Sequence, residues 1–253
     1  MREFALIGFG EAGKSFASAG CWGGQARVFD TQDRAADYAE VGVSGCASNA
    51  DAVCEVAYIQ SLVTADQALT AAQTSAASIA PGTFYFDMNS VAPDTKRAAA
   101  EAIEAAGGYY FDVAIMAPVN PARLAVPLLL SGGRAEAGVS SLAELGFSNV
   151  RAVGNAVGQA SAIKMIRSVM VKGIEALTAE MMLGADAAGV TDDVLASLGE
   201  GWAAKAEYDL ERMRSHGRRR AAEMEEVART LSALGVEPLM TRSTILRQRG
   251  IAA

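Results

Sequence analysis

Gly8-Phe9-Gly10-Glu11-Ala12-Gly13 decides how this chain is read. The apolar run Phe4-Ala5-Leu6-Ile7 leads into it, and helix-compatible residues from Lys14 to Ala19 lead out. Seventeen residues past Gly13, a second apolar run, Ala26-Arg27-Val28-Phe29, ends on Asp30. This is strand, glycine turn, helix, strand, acid, the order of a dinucleotide site. The first glycine permits a tight turn, the second lets backbone approach a pyrophosphate, and the third lets helix and strand pack closely. A helix starting at Glu11 would turn its N–H groups and positive dipole end toward the phosphates through Glu11, Ala12 and Gly13. Asp30 would accept hydrogen bonds from both ribose hydroxyls of NAD and repel the 2′-phosphate of NADP. Arg34 nearby keeps NADP open as a second possibility. The alternative role for Asp30 is an N-cap for the following helix.

The same alternation continues outward. Apolar runs at 3–8, 25–30, 55–59, 82–87, 108–114, 126–131 and 149–152 read as strands, with helices near 11–20, 64–78, 92–106 and 135–145. Alternating strands and helices predict an α/β fold: a Rossmann doubly wound, mainly parallel sheet covered on both faces. After Gly158 the period changes. Ile163, Ile166, Met170, Ile174, Leu177 and Met181 recur at steps of three and four, which predicts one amphipathic helix of about 25–30 residues. Helices near 191–198, 202–234 (broken at Gly217) and 241–248 follow, with no further strand. The expected division is therefore a dinucleotide-binding domain at 1–156 and an all-helical domain at 157–253, the latter serving substrate binding and dimerisation. A long apolar stripe on a small helical domain wants a partner, so a homodimer sharing C-terminal helices is expected.

Composition narrows the function. The chain has 253 residues, 51% of them hydrophobic, and a net charge of −7. That balance argues against nucleic acid or an anionic membrane as the main partner and favours a small-molecule substrate. Three cysteines without a C-x-x-C, and an N-terminus entering directly into a strand, predict a reduced, cytoplasmic protein. No run is apolar enough to span a membrane. The single histidine, His216, excludes a multi-histidine zinc cluster, and no metal is expected.

Two further segments carry polar chemistry. Asp87-Met88-Asn89-Ser90-Val91-Ala92-Pro93 directly follows a strand, where ligands of open α/β sheets bind. Asn89 and Ser90 could reach a nicotinamide or a substrate hydroxyl, or could simply cap the helix starting near Pro93. Lys164 lies early in the long helix between Ile163 and Met165, with Ser161, Ser168 and Lys172 near its face. In an apolar cleft it would lose solvation, which suits it to acid–base work near neutrality. On a surface it would only snorkel. The run His216-Gly217-Arg218-Arg219-Arg220 reads as a helix face, with Arg219 pairing Glu223 at i,i+4, or as an anion contact.

These motifs, in this order, resemble the β-hydroxyacid dehydrogenases, relatives of 6-phosphogluconate dehydrogenase. The likeness covers essentially the whole chain. It rests on Gly8–Gly13, on Asp87–Pro93, on Asp112-Val113-Ala114-Ile115-Met116-Ala117-Pro118 followed by Leu130-Ser131-Gly132-Gly133, and on Gly154 through Gly158 to Lys164. The resemblance implies a nicotinamide-dependent oxidoreductase acting on an alcohol or its carbonyl. Lys164 would be the catalytic lysine, and Ser168 and Asn89 would orient the oxygen. Leu62 and Val63 would line the cofactor. Ser90, Met116, Ala117, Pro118, Asn120 and Arg167 would face the substrate.

The departures are as informative. Where the family carries Asp-x-Pro-Val-Ser-Gly-Gly, this chain ends the motif on Met116, Ala117 and Pro118. Methionine brings no hydroxyl and proline no N–H, so the family's grip on a substrate carboxylate is dismantled. The asparagine expected four residues after the lysine is Ser168. Asn120 and Arg123 could rebuild polar recognition. Two other reactions fit the same arrangement: a redox-neutral lyase of retro-aldol type, and an imine reductase. A nucleotide-sensing protein without catalysis is the remaining class.

Overall fold

A computed structural model of the chain describes residues 4–251. The chain divides into two compact units, Met1–Lys164 and Met165–Ala253. The division falls inside the long helix, whereas the sequence places its boundary at 156, ahead of that helix.

The first unit is built on eight strands: β1 (Phe4–Ile7), β2 (Ala26–Phe29), β3 (Ser44–Gly45), β4 (Tyr58–Ser61), β5 (Phe84–Asp87), β6 (Tyr109–Ile115), β7 (Leu128–Ser131) and β8 (Val150–Gly154). Its helices are α1 (Glu11–Gly20), α2 (Ala35–Val41), α3 (Asn49–Val53), α4 (Ala68–Ala76), α5 (Pro93–Ala105) and α6 (Ala135–Glu144). The sheet order is β3-β2-β1-β4-β5-β6-β7-β8. Every pairing is parallel except β6 with β7. The order reverses between β1 and β4, and ligands of doubly wound sheets bind outside the strand C-termini at such a reversal.

Side chains alternate along each strand, so the sheet separates two cores. Phe4, Leu6, Val28, Phe86, Phe111 and Leu130 pack on one face. Ala5, Ile7, Ile59, Tyr85 and Tyr110 pack on the other. Fully burying a Leu or Phe side chain contributes about 1.5–3 kcal/mol, so both cores hold the strand ends rigidly. Among the described residues the expected strands and α-helices recur, joined by β3, α2 and α3, and the strand expected at 55–59 is found at Tyr58–Ser61.

Beyond β8 the chain forms α7 (Gln159–Ala188), α8 (Thr191–Leu198), α9 (Trp202–Ala233) and α10 (Leu239–Ile251). Contrary to expectation, α9 does not break at Gly217, which is buried within it. Glycine in a helix interior costs only about 1 kcal/mol relative to alanine. The second unit packs Met165, Met224, Val227 and Ile245 around its centre.

The amphipathicity of α7 runs against a simple reading. Its apolar stripe lies outward: Ile163, Ile166, Met170 and Leu177 are 41%, 48%, 65% and 57% exposed. Its polar stripe, Ser168, Lys172, Glu175 and Thr178, is buried. Partners on α9 and α10 make that burial tolerable. Lys172 Nζ pairs with Glu223, Glu175 forms a two-point ion pair with Arg220, and Gln248 donates to Glu175. Thr178 donates to Asp209 at 2.9 Å, and Lys205 pairs with the same carboxylate at 2.8 Å.

Candidate functional site

The glycine turn shows all three spatial roles. Gly8 has φ +92°, and a Cβ there would lie 2.6 Å from the Leu62 carbonyl oxygen. A Cβ on Gly13 would lie 2.7 Å from the Gly8 carbonyl oxygen, so α1 packs directly on the strand end. A Cβ on Gly10 would meet nothing within 4 Å, which leaves room above the backbone for a ligand. Gly10 is also the N-cap of α1, without any side-chain cap. The first-turn donors of α1 are therefore presented to that space. This cradle fits a dinucleotide pyrophosphate.

Phe9 contributes its backbone to the turn. Its ring is buried against Tyr38 at 5.1 Å between centroids. Its N–H donates to Asp30 Oδ2 at 2.7 Å, while Gln32 N–H donates to Asp30 Oδ1 at 2.9 Å. Asp30 thus braces the turn and does not cap α2, whose N-cap is Arg34. A carboxylate offers about four acceptor positions, so it keeps capacity for ribose hydroxyls. The basic groups nearby are neutralised: Lys14 pairs with Asp37 and Glu40, each at 2.7 Å, and Arg34 lies 3.7 Å from Asp37.

From this turn a chain of contacts leads to the lysine. Leu62 N–H donates to the Ile7 carbonyl at 2.7 Å, which ties the β4 end to β1. Val63 N–H donates to Asn89 Oδ1 at 2.7 Å, and Asn89 Nδ2 donates to Ser61 Oγ at 3.0 Å. Neither Asn89 nor Ser90 caps α5, whose N-cap is Ala92 with no side-chain bond. Asn89 is buried and clips the ends of β4 and β5 together. Its neighbour Ser90 accepts a hydrogen bond from Lys164 Nζ at 2.5 Å.

The N-terminus of α7 is held from the sheet. Asp112 Oδ2 accepts from Gly158 N–H at 3.1 Å, Ser161 N–H at 3.0 Å and Ser161 Oγ at 3.0 Å. Ser131 Oγ accepts from Ala160 N–H at 3.0 Å. These bonds satisfy first-turn donors that a helix cannot satisfy alone. Lys164 projects one turn later, so its position is fixed from β6 and β7.

The remaining expected residues are more dispersed. Met116 is half-buried, with its N–H bonded to the Pro127 carbonyl at 2.9 Å. Ala117, Pro118 and Asn120 are exposed, and Asn120 Nδ2 donates to Ser15 Oγ on α1 at 3.1 Å. On α7, Arg167 is exposed and Ser168 is buried. Arg219 lies 3.8 Å from Glu223 at i,i+4, the helix-face pairing that the sequence suggests.

Sequence reasoning missed Lys96. Its side chain is fully buried and bonds to Asp87. The available signal was its place on α5, where Lys96, Ala99, Ala100 and Ile103 share the buried face. A lysine in an otherwise apolar stripe requires a buried anion. Among the described residues, no group of three or more His, Cys, Asp or Glu side chains could hold a metal, and no helix is long and apolar enough to cross a membrane.

Residues 3–145 match the family model for the NAD binding domain of 6-phosphogluconate dehydrogenase. The chain belongs to the β-hydroxyacid dehydrogenase family. Residues 185–251 of this β-hydroxyacid dehydrogenase family member match a second model, a domain of unknown function (DUF1932). No curated protein matches it significantly. Among solved structures it is similar to a conserved hypothetical protein from Sinorhizobium meliloti 1021, at 38% identity and a TM-score of 0.76, over 98% of this chain and 88% of that one. The Mycobacterium tuberculosis 3-hydroxyisobutyrate dehydrogenase, solved with L-serine, shares the fold at 18% identity and a TM-score of 0.78, over 99% and 94% of the two chains. A reductive aminase from Aspergillus terreus, solved with NADPH and ethyl levulinate, shares it at 19% identity and 0.65, over 99% and 94%. The fold is thus that of the 3-hydroxyacid dehydrogenases, and the solved structures that share it include dehydrogenases and reductases.

Proposed function

We propose that the protein is an NAD-dependent oxidoreductase that interconverts an alcohol and its carbonyl on a small organic substrate. The observation that carries this reading is the Lys164–Ser90 hydrogen bond at 2.5 Å, reached from the glycine turn through Leu62, Val63 and Asn89. Gly8, Gly10, Glu11, Ala12, Gly13 and Asp30 would hold the nucleotide, with Leu62 and Val63 beside it. The bound nicotinamide would accept or supply the hydride. Lys164 Nζ would take the hydroxyl proton in oxidation and return it in reduction, because an amine held on a hydroxyl is within reach of a substrate oxygen replacing that hydroxyl. Ser90 takes the orienting role first given to Asn89, which is committed to the β4 and β5 ends. Ser168 and Arg167 keep the orienting and substrate-contact roles that the family resemblance implies for them.

Asp30, with Lys14 and Arg34 already paired to acids, supports NAD over NADP. At the loop after β6, Met116, Ala117 and Pro118 offer an apolar surface, so the substrate would be larger or less acidic than a simple 3-hydroxy acid. The outward apolar stripe of α7 supports a homodimer in which a second copy covers that face. The reading is tested by screening alcohols and carbonyls for nicotinamide turnover with the wild type and with Lys164→Ala. Turnover limited to compact hydroxy acids would sink the substrate assignment. Product formed without any nicotinamide would favour the lyase. Activity surviving Lys164→Ala would favour imine reduction.

A further inference from the structure

Two carboxylates are fully buried in the first unit, Asp87 at the end of β5 and Asp112 on β6. Taking each from water costs several kcal/mol unless it is compensated. Among the described residues, the ammonium that lies against both is Lys96. Its Nζ donates to Asp87 Oδ1 at 2.8 Å and to the Asp87 carbonyl at 2.6 Å, and it lies 3.6 Å from Asp112 Oδ1. Each carboxylate has a second task. Asp87 Oδ1 accepts from Asn89 N–H at 2.9 Å, which sets the turn ending at Ser90, and Asp87 Oδ2 accepts from Tyr110 at 2.5 Å. Asp112 Oδ2 grips the first turn of α7 through Gly158 and Ser161. Asp112 Oδ1 has no hydrogen-bond partner, so Lys96 is the charge that steadies it on that side.

We propose that Lys96 is a positioning residue for Lys164. Through Asp87 it fixes the turn that presents Ser90, and through Asp112 it fixes the helix start that presents Lys164. One buried cation sets both ends of the Lys164–Ser90 bond. This rests on the reading of Lys164 as the acid–base group.

The test compares the wild type with Lys96→Met and with the charge-compensated Lys96→Met/Asp87→Asn. Two readouts are used: amide hydrogen exchange, and the acetylation rate of Lys164 by acetic anhydride, normalised to Lys205 in the same sample. Losing the shared cation should speed exchange at residues 158–161 by roughly ten- to a hundredfold while strands β1 and β4 keep their protection, because unpairing a buried charged partner costs that much locally. Lys164 should acetylate roughly tenfold faster once released from Ser90. Unchanged exchange and acetylation in a folded variant would overturn the proposal. So would failure of the compensated variant to fold, since Lys96 would then serve the fold as a whole. A parallel NADH titration separates the two claims. A wild type that binds no NADH defeats the oxidoreductase reading, while the exchange and acetylation results still judge Lys96.

Discussion

Lys164 Nζ and Ser90 Oγ meet at 2.5 Å although 74 residues separate them in the chain. The contact joins the first turns of α7 to the end of β5, and it is the point where the motifs of the sequence converge. Removing the amine in Lys164→Ala should lower turnover by about 10²–10⁴-fold, the usual share of positioned acid–base groups. Ser90→Ala should lower it less and leave nicotinamide binding intact. Steady-state kinetics beside a binding titration checks both. Equal losses of binding and turnover would show that the pair holds the fold or the cofactor instead.

The glycines separate packing from binding. Gly13→Val puts side-chain atoms against the Gly8 carbonyl, where even a Cβ would sit at 2.7 Å, so it should lower the melting temperature strongly. Gly10→Ala meets open space and should melt like the wild type while weakening NADH binding. The opposite pattern would mean that Gly10 faces no ligand.

How much of this was legible in sequence follows from which contacts are local. The glycine turn, the strand before it and Asp30 are set by backbone constraints within a few tens of residues, so the pattern revealed them. β3 is only two residues long, and α2 buries no residue, so neither leaves a periodic signal. Periodicity marked the apolar stripe of α7 but not which side faces inward. That is decided by Arg220, Glu223 and Asp209, more than 30 positions away. The family likeness pointed to Lys164, while the route from Asn89 through Ser90 to it needed coordinates.

Asp30 should govern cofactor choice. Asp30→Ser removes the negative charge and should narrow the preference for NADH over NADPH by about tenfold, roughly 1.4 kcal/mol. Because Asp30 also braces Phe9 N–H, a modest loss of melting temperature should accompany it. An unchanged preference would place the adenosine elsewhere.

The ion pair between Glu175 and Arg220 is almost fully buried. Glu175→Ala strands the guanidinium and should cost about 3–5 kcal/mol, whereas replacing both residues by methionine should be near neutral. Urea denaturation of the three proteins decides this. A small loss in the single variant would show that water reaches Arg220.

Alkaline stability should depend on Tyr85 and Tyr110. Burial, then the charge of Asp87, raises both phenols above the ordinary tyrosine range, and the hydrogen bond to Asp87 holds Tyr110 higher still. The folded state therefore keeps protons that the unfolded chain releases near pH 10, so stability is full below about pH 10 and falls as pH rises beyond it. Tyr110→Phe should reduce that slope by about 1.4 kcal/mol per pH unit. Parallel stability curves for the two proteins above pH 10 would contradict the assignment.

Titrating the purified protein with NADH and with NADPH, followed by nicotinamide fluorescence, in the wild type and in Lys164→Ala, decides whether the glycine turn serves a nicotinamide cofactor. Binding should saturate, favour NADH and survive loss of the lysine. If neither nucleotide binds, the protein is not a nicotinamide-dependent oxidoreductase.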